Sequence, residues 1–204
     1  MPFAGYIMLS DFSLCGIIKV GFLWLGLWWC MREKQEKIDY IFLDVDGVLN
    51  TKNQWKRMFT LDGSCIKRFS DYAKAVSQGT PKVILTSTWK NGYSNDGKHS
   101  EPVMRLINSL RKHGVSVAGR TGSDPSGDRA REINDYIEKN QLHDCRMLAV
   151  DDDVSIFKSE MKENVRFVVC DSRTGFTKDI ASINDDGSWA GKLKRLLGVG
   201  DLHD

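Results

Sequence analysis

A chain of 204 residues with 41% hydrophobic and 27% charged residues suits one ordinary globular domain and is short for two. A formal net charge of +2 argues against a dominant nucleic-acid footprint, while leaving room for local basic clusters. Five cysteines without a CxxC pair and four histidines without an HxxxH pair argue against a zinc site or a disulfide framework, and a reducing compartment is the expected setting.

Residues 14–31, "LCGIIKVGFLWLGLWWCM", are apolar except for Lys19 and about long enough for a marginal membrane span. A cleaved signal peptide fits poorly, because Asp11 rather than a basic stretch precedes the run and no small-residue cleavage site comes after it. Three readings stay open: a membrane anchor, an apolar helix packed on the domain, or a start assigned too far upstream. The third is favoured, since Met31 opens a short polar lead into a first strand. If the segment spans, Arg32, Lys34 and Lys37 keep the downstream domain on the cytoplasmic side. Residues 1–37 are thus read as an extension and residues 38–204 as one domain. The location expected is cytoplasmic, or membrane-anchored with the domain facing the cytoplasm.

From Ile38 onward, short apolar runs alternate with helical patterns. Tyr40–Leu43 reads as a buried strand. Residues 64–76 read as a helix with Ile66, Phe69, Ala73 and Val76 on one face. Lys82–Leu85 is a second strand. A helix over 102–113 turns Val103, Leu106, Ile107 and Leu110 inward and stops at Gly114. Residues 115–118 form a short strand, 128–140 a helix, and 146–150 and 166–170 two further strands. Ser188 caps a last helix carrying Trp189, Leu193 and Leu196. The alternation predicts an α/β fold: a Rossmann-like parallel sheet with helices on both faces. Ligands in such folds bind beyond the carboxyl ends of the strands.

Asp44 and Asp46 stand beyond the first strand, Thr86, Ser87 and Thr88 beyond the second, and Asp151, Asp152 and Asp153 beyond "RMLAV". Neighbouring strands would gather four or five carboxylates in one crevice, where like charges repel. A divalent cation makes that arrangement tolerable, and oxygen-only ligands favour magnesium. A calcium loop is disfavoured by the glycine, which comes after a strand and stands at position four of "DVDG" rather than six. Taken singly, the acidic triplet is a helix cap and the hydroxyl triplet a strand-end turn. Their order along the chain favours a shared site.

"IFLDVDGVLN", "VILTSTWK", "GDRAREI" and "MLAVDDD" resemble the four motifs of the haloacid dehalogenase-like superfamily of phosphohydrolases. With the late "TGFT", they look most like the branch named for Swiss Army knife RNA repair proteins. The resemblance implies a HAD-like fold with minimal or no cap, and a hydrolase that uses Mg2+. It makes Asp44 the nucleophile and Asp46 the general acid and base. The metal ligands would be Asp44, the Asp46 carbonyl, and Asp152 or Asp151, with Asp152 preferred. Thr86 would hydrogen-bond the phosphoryl group, helped by N–H groups after Gly47 and near Ser87. Arg129 is the preferred basic residue, with Arg131 and Lys90 as further candidates for the substrate. Arg129 and Arg131 diverge by about 200° on a helix, so both cannot face the site.

The spacings from Asp46 to Thr86 and from Thr88 to Asp151 are used up by core elements and leave no room for a large cap domain. An open crevice admits a phosphate on a large molecule. The residues themselves support phosphoryl transfer, so a phosphomonoester phosphatase is expected; the resemblance to the RNA repair branch implies a nucleotide or a nucleic-acid 3′-phosphate end as its substrate. The alternatives are a small-molecule or phosphoprotein phosphatase, and a non-catalytic phosphate- or metal-binding module. No obligate protein partner is expected. A short flap over residues 50–60 remains, in which Lys52, Lys56 and Arg57 with Trp55 could grip phosphate and stack a base, although the favoured reading has the charges solvated and Trp55 packed on the core. Trp89 also reads as core.

Overall fold

The computed structural model describes residues 37–182. The apolar run at 14–31 and the helix expected from Ser188 lie outside the described residues. Five strands, β1 (Tyr40–Leu43), β2 (Lys82–Leu85), β3 (Ser116–Arg120), β4 (Met147–Asp151) and β5 (Val165–Val169), form one sheet in the order β3-β2-β1-β4-β5. Every pairing is parallel. The helices are α1 (Gly63–Val76), α2 (Glu101–Lys112), α3 (Arg129–Lys139) and the short α4 (Lys178–Ser182).

Both faces of the sheet are covered at its centre, which is why the three central strands β1, β2 and β4 are apolar and buried almost throughout, while the edge strands β3 and β5 are partly exposed. Ile41, Leu43, Val83, Leu85, Leu148 and Val150 pack with Ile66, Phe69 and Ala73 of α1 and Val103, Leu106 and Leu110 of α2. Phe42, Ile84, Met147 and Ala149 point the other way, onto Ile133 and Ile137 of α3. Alternate residues of each strand thus serve opposite layers, as the period of two requires. Burying one such Phe or Leu stabilises the fold by roughly 1.5–3 kcal/mol.

Helix starts obey local chemistry. Asp62 accepts from the N–H groups of Ser64 and Cys65 at the start of α1, and Asp128 from those of Ala130 and Arg131 at the start of α3. The expected α/β architecture holds, with shifted ends. The third strand runs over Ser116–Arg120, with a register irregularity opposite Val83 and Ile84. β4 extends one residue further than expected, so that Asp151 is its last member. Between β1 and α1 the chain makes only the 3-10 turn Lys52–Gln54, and between β2 and α2 only the 3-10 turn Thr88–Gly92 and a loop. Among the described residues no cap domain covers the carboxyl end of the sheet, and no helix is long and apolar enough to cross a membrane.

Candidate active site

Pairing levels the ends of the three central strands. The Asp44 N–H donates to the Val150 carbonyl at 2.9 Å, and the Thr86 N–H to the Leu43 carbonyl at 3.0 Å. Asp44, Thr86 and Asp151 are all buried there, with Asp152 half-buried beside them. One oxygen from each of Asp44, Asp151 and Asp152 lies within 4.8 Å of the others. Asp153 turns away and caps the next 3-10 turn through the Ser155 N–H.

This crowding is electrostatically costly. Burial, then the Asp151 charge, pushes the Asp44 pKa well above the carboxylate range, opposed by Arg129. Burial is also the main cause that raises Asp151 to about 6 and Asp152 to about 6. Three crowded oxygen donors whose charged forms are disfavoured by burial could hold a hard divalent cation such as magnesium. Gly47 permits the approach. Its φ of 80° is left-handed, and a Cβ on it would run into the Asp152 carboxylate.

Arg129, the first residue of α3, points its guanidinium at this group. Its Nη1 is 3.3 Å from Asp44 Oδ1 and 3.8 Å from Asp151 Oδ2. Arg131 is not brought into the group; it is exposed and pairs with Asp124 at 3.3 Å. Lys90, expected at the substrate, is instead buried behind Arg129. Its Nζ lies 2.7 Å from Glu132 Oε2 and donates to the Gly122 carbonyl at 2.6 Å. The physical reason is position: Lys90 sits inside the 3-10 turn after β2, under α3, where only an ion pair makes its charge tolerable. The Ser87 hydroxyl is likewise engaged, accepting from the Trp89 N–H at 3.3 Å.

Asp46 is held by two residues that sequence patterns do not single out as its partners. Its Oδ1 accepts from Asn50 Nδ2 at 2.8 Å and its Oδ2 from Trp89 Nε1 at 3.0 Å. Trp89 is buried as expected, and its indole N–H supplies the polar contact. Asn50 also donates to the Thr60 carbonyl at 2.9 Å and accepts from the Gly47 N–H at 2.9 Å and from Trp55 Nε1 at 3.0 Å. The N–H groups expected to serve phosphate after Gly47 have other partners, since those of Val48 and Leu49 return to the Val45 carbonyl. A sequence signal exists for Asn50: a lone amide in the apolar stretch just after the DxDG turn.

The flap departs from expectation at Trp55, which is 43% exposed rather than packed into the core. Phe59 adopts φ 57°, an uncommon conformation for a bulky residue, and sets its ring edge-on to Trp89 with centroids 5.1 Å apart. On the other side, the turn at 171–175 braces the loop that follows Asp44 and Asp46. The Phe176 N–H donates to the Val48 carbonyl at 2.8 Å, and a Cβ on Gly175 would meet Cys65 Sγ and the carbonyls of Val48 and Asn50.

Residues 40–181 match the family model described as the HAD domain in Swiss Army Knife RNA repair proteins. No curated protein and no solved structure matches the chain significantly.

Proposed function

The chain belongs to the family of HAD domains in Swiss Army Knife RNA repair proteins, and from that premise we propose that it is a magnesium-dependent phosphatase. Its substrates are phosphomonoesters, with a nucleotide or a nucleic-acid 3′-phosphate end foremost. The observation that carries the reading is the approach of Arg129 to 3.3 Å from the buried Asp44, beside a separately held Asp46 carboxylate.

A nucleophile needs an open side and a counter-charge. Arg129 supplies the charge, and its fork suits phosphoryl oxygens. Asp44 Oδ attacks phosphorus in line, the bond to the leaving oxygen breaks, and Asp46 gives that oxygen its proton. Water then attacks the aspartyl-phosphate, Asp46 takes the water proton, and inorganic phosphate leaves with Asp44 restored. Thr86 lies level with Asp44 and contributes a hydroxyl toward the phosphoryl group. Asp44, Asp151 and Asp152 would hold Mg2+, with the Asp46 carbonyl as a further ligand. When bound, the ion neutralises these carboxylates and polarises the phosphoryl group.

Two carboxylates in different environments support division of labour between nucleophile and acid. A module that only bound phosphate would have no use for the hydrogen bonds that fix Asp46. The test is hydrolysis of p-nitrophenyl phosphate and of 3′-phosphorylated oligonucleotides, with and without magnesium. Magnesium-dependent release of phosphate, abolished in Asp44→Asn, is the expected result. An inactive wild type on both substrates overturns the reading.

A further inference from the structure

Four large hydrophobic side chains are exposed among the described residues, and three of them, Trp55 (43%), Met58 (81%) and Phe59 (38%), lie in the flap. The same segment carries Lys52, Lys56 and Arg57, all exposed, and no acidic residue between Asn50 and Thr60. A solvated loop gains nothing from three uncovered apolar side chains, whereas a ligand with both a flat face and repeated negative charge matches them.

The flap is tied to the site at several points. Asn50 bonds both Asp46 and Trp55 Nε1, and so sets the indole at a fixed place relative to the acid carboxylate. Phe59 leans on Trp89, the other partner of Asp46. The Lys52 N–H donates to the Ser172 carbonyl at 2.8 Å, and the Lys52 ammonium lies 5.7 Å from the centre of the Trp55 ring. A ring anchored by its N–H edge keeps a face for stacking, and a cation nearby attracts phosphate.

We infer that the flap over residues 50–60 is the subsite for the nucleoside that bears the scissile phosphate at the end of a single-stranded polynucleotide. Trp55 stacks on the terminal base, and Lys52, Lys56 and Arg57 take the phosphates next along the strand. Met58 and Phe59 exclude water from the stacked base. A sugar phosphate brings neither a base nor a second phosphate, and a phosphopeptide brings no run of backbone anions. The inference rests on the phosphatase reading for the placement of the terminal phosphate at Asp44, but its test does not need turnover.

Binding is measured by anisotropy of a fluorescein-labelled oligonucleotide with a 3′-phosphate, against the same strand ending in an abasic 3′-phosphate and against a phosphopeptide. The wild type should bind the base-bearing end roughly ten-fold more tightly than the abasic end, the scale of one stacked base. Trp55→Ala should erase that preference, and Trp55→Phe, which keeps a ring but loses the bond to Asn50, should retain most of it. Lys56→Ser/Arg57→Ser should weaken both oligonucleotides alike and flatten their salt dependence. Equal binding of base-bearing and abasic ends by the wild type overturns the inference, as does a preference that survives in Trp55→Ala or phosphopeptide binding as tight as the oligonucleotide. Absence of phosphatase activity alongside the expected binding would instead overturn the catalytic reading and leave the subsite standing.

Discussion

Lys90 and Glu132 form a buried ion pair, Nζ to Oε2 at 2.7 Å, and Arg129 Nε approaches the same oxygen at 3.6 Å. Charges therefore alternate inward to outward: Lys90, Glu132, Arg129, then Asp44 and Asp151. Burial lowers the Lys90 pKa, and Glu132 works against that. Removing one partner strands the other charge. Glu132→Ala should cost about 3–5 kcal/mol in chemical denaturation. Lys90→Met/Glu132→Leu should recover most of that stability but not turnover, because Arg129 has then lost the carboxylate behind its Nε. Strictly additive losses in the two single variants and the double would contradict this coupling.

Asp46 supplies a second prediction. Asp46→Asn should lower kcat by about 10²–10⁴-fold on alkyl phosphates, whose leaving oxygen needs a proton. The loss on p-nitrophenyl phosphate should be smaller in the first step. Trp89→Phe keeps the ring in the core and deletes only the donor to Asp46. It should fold and show a weaker form of the same leaving-group dependence. An equal loss on both substrates would show that Trp89 acts on stability alone.

If magnesium binds at the acidic cluster, its effect should depend on pH through Asp151 and Asp152, whose folded pKa values are raised to about 6, chiefly by burial. Raised acids contribute stability in full below the unfolded value of about 4 and lose it as pH climbs through the folded value. The metal-free protein should therefore melt at a lower temperature at pH 7.5 than at pH 5. Magnesium should raise Tm at pH 7.5 and do little at pH 5, and Asp152→Asn should blunt both effects. Calorimetry with and without a chelator measures this, and a magnesium response equal at the two pH values would refute it.

Asp128 has the opposite sign. Burial works to raise its pKa, but hydrogen bonds from the Ser159 hydroxyl and the backbone N–H groups of Lys158, Ser159 and Arg131 outweigh it and hold the value at about 2. Its contribution is present above pH 4 and fades as pH falls toward 2. Asp128→Ala should destabilise the protein by about 1–2 kcal/mol at pH 7, as loss of an N-cap does, and the deficit should shrink in acid. A constant deficit from pH 7 to pH 2 would count against the cap.

Gly47→Ala tests the closeness of backbone and carboxylate. The new Cβ meets Asp152, and φ 80° is unfavourable for alanine. Asp152 must move, so magnesium affinity read by isothermal titration should fall by at least ten-fold while the sheet keeps its circular dichroism. Unchanged affinity would show that Asp152 has slack.

The strand ends are readable because apolar runs stop where charges start, and a parallel sheet leaves one place for those charges to meet. Helical angle alone separates Arg129 from Arg131, and the Asp128 cap explains the phase: α3 begins at Arg129, which turns that side chain back over β1 and β4. Lys90 is harder. A lysine after a hydroxyl-rich strand end looks like a phosphate contact until its partner, Glu132, is known, and that partner lies across a helix whose packing no local pattern reports. Trp89 and Asn50 hide for another reason. Each has a sufficient structural role, and a second role through one N–H is invisible to hydropathy.

The brace at Gly175 and Phe176 has a bearing on how the protein is made. β1 is made before the turn at 171–175, yet the Val48 carbonyl in the loop after Asp44 waits for the Phe176 N–H, and Gly175 must slot against Cys65 and Asn50. The loop after Asp44 and Asp46 is thus held by a turn synthesised well after it. A chain interrupted before Gly175 carries Asp44, Asp46, Asp151 and Asp152 but lacks the strut on the loop that follows the first two, so the arrangement of the four is expected to settle only once that turn has been made.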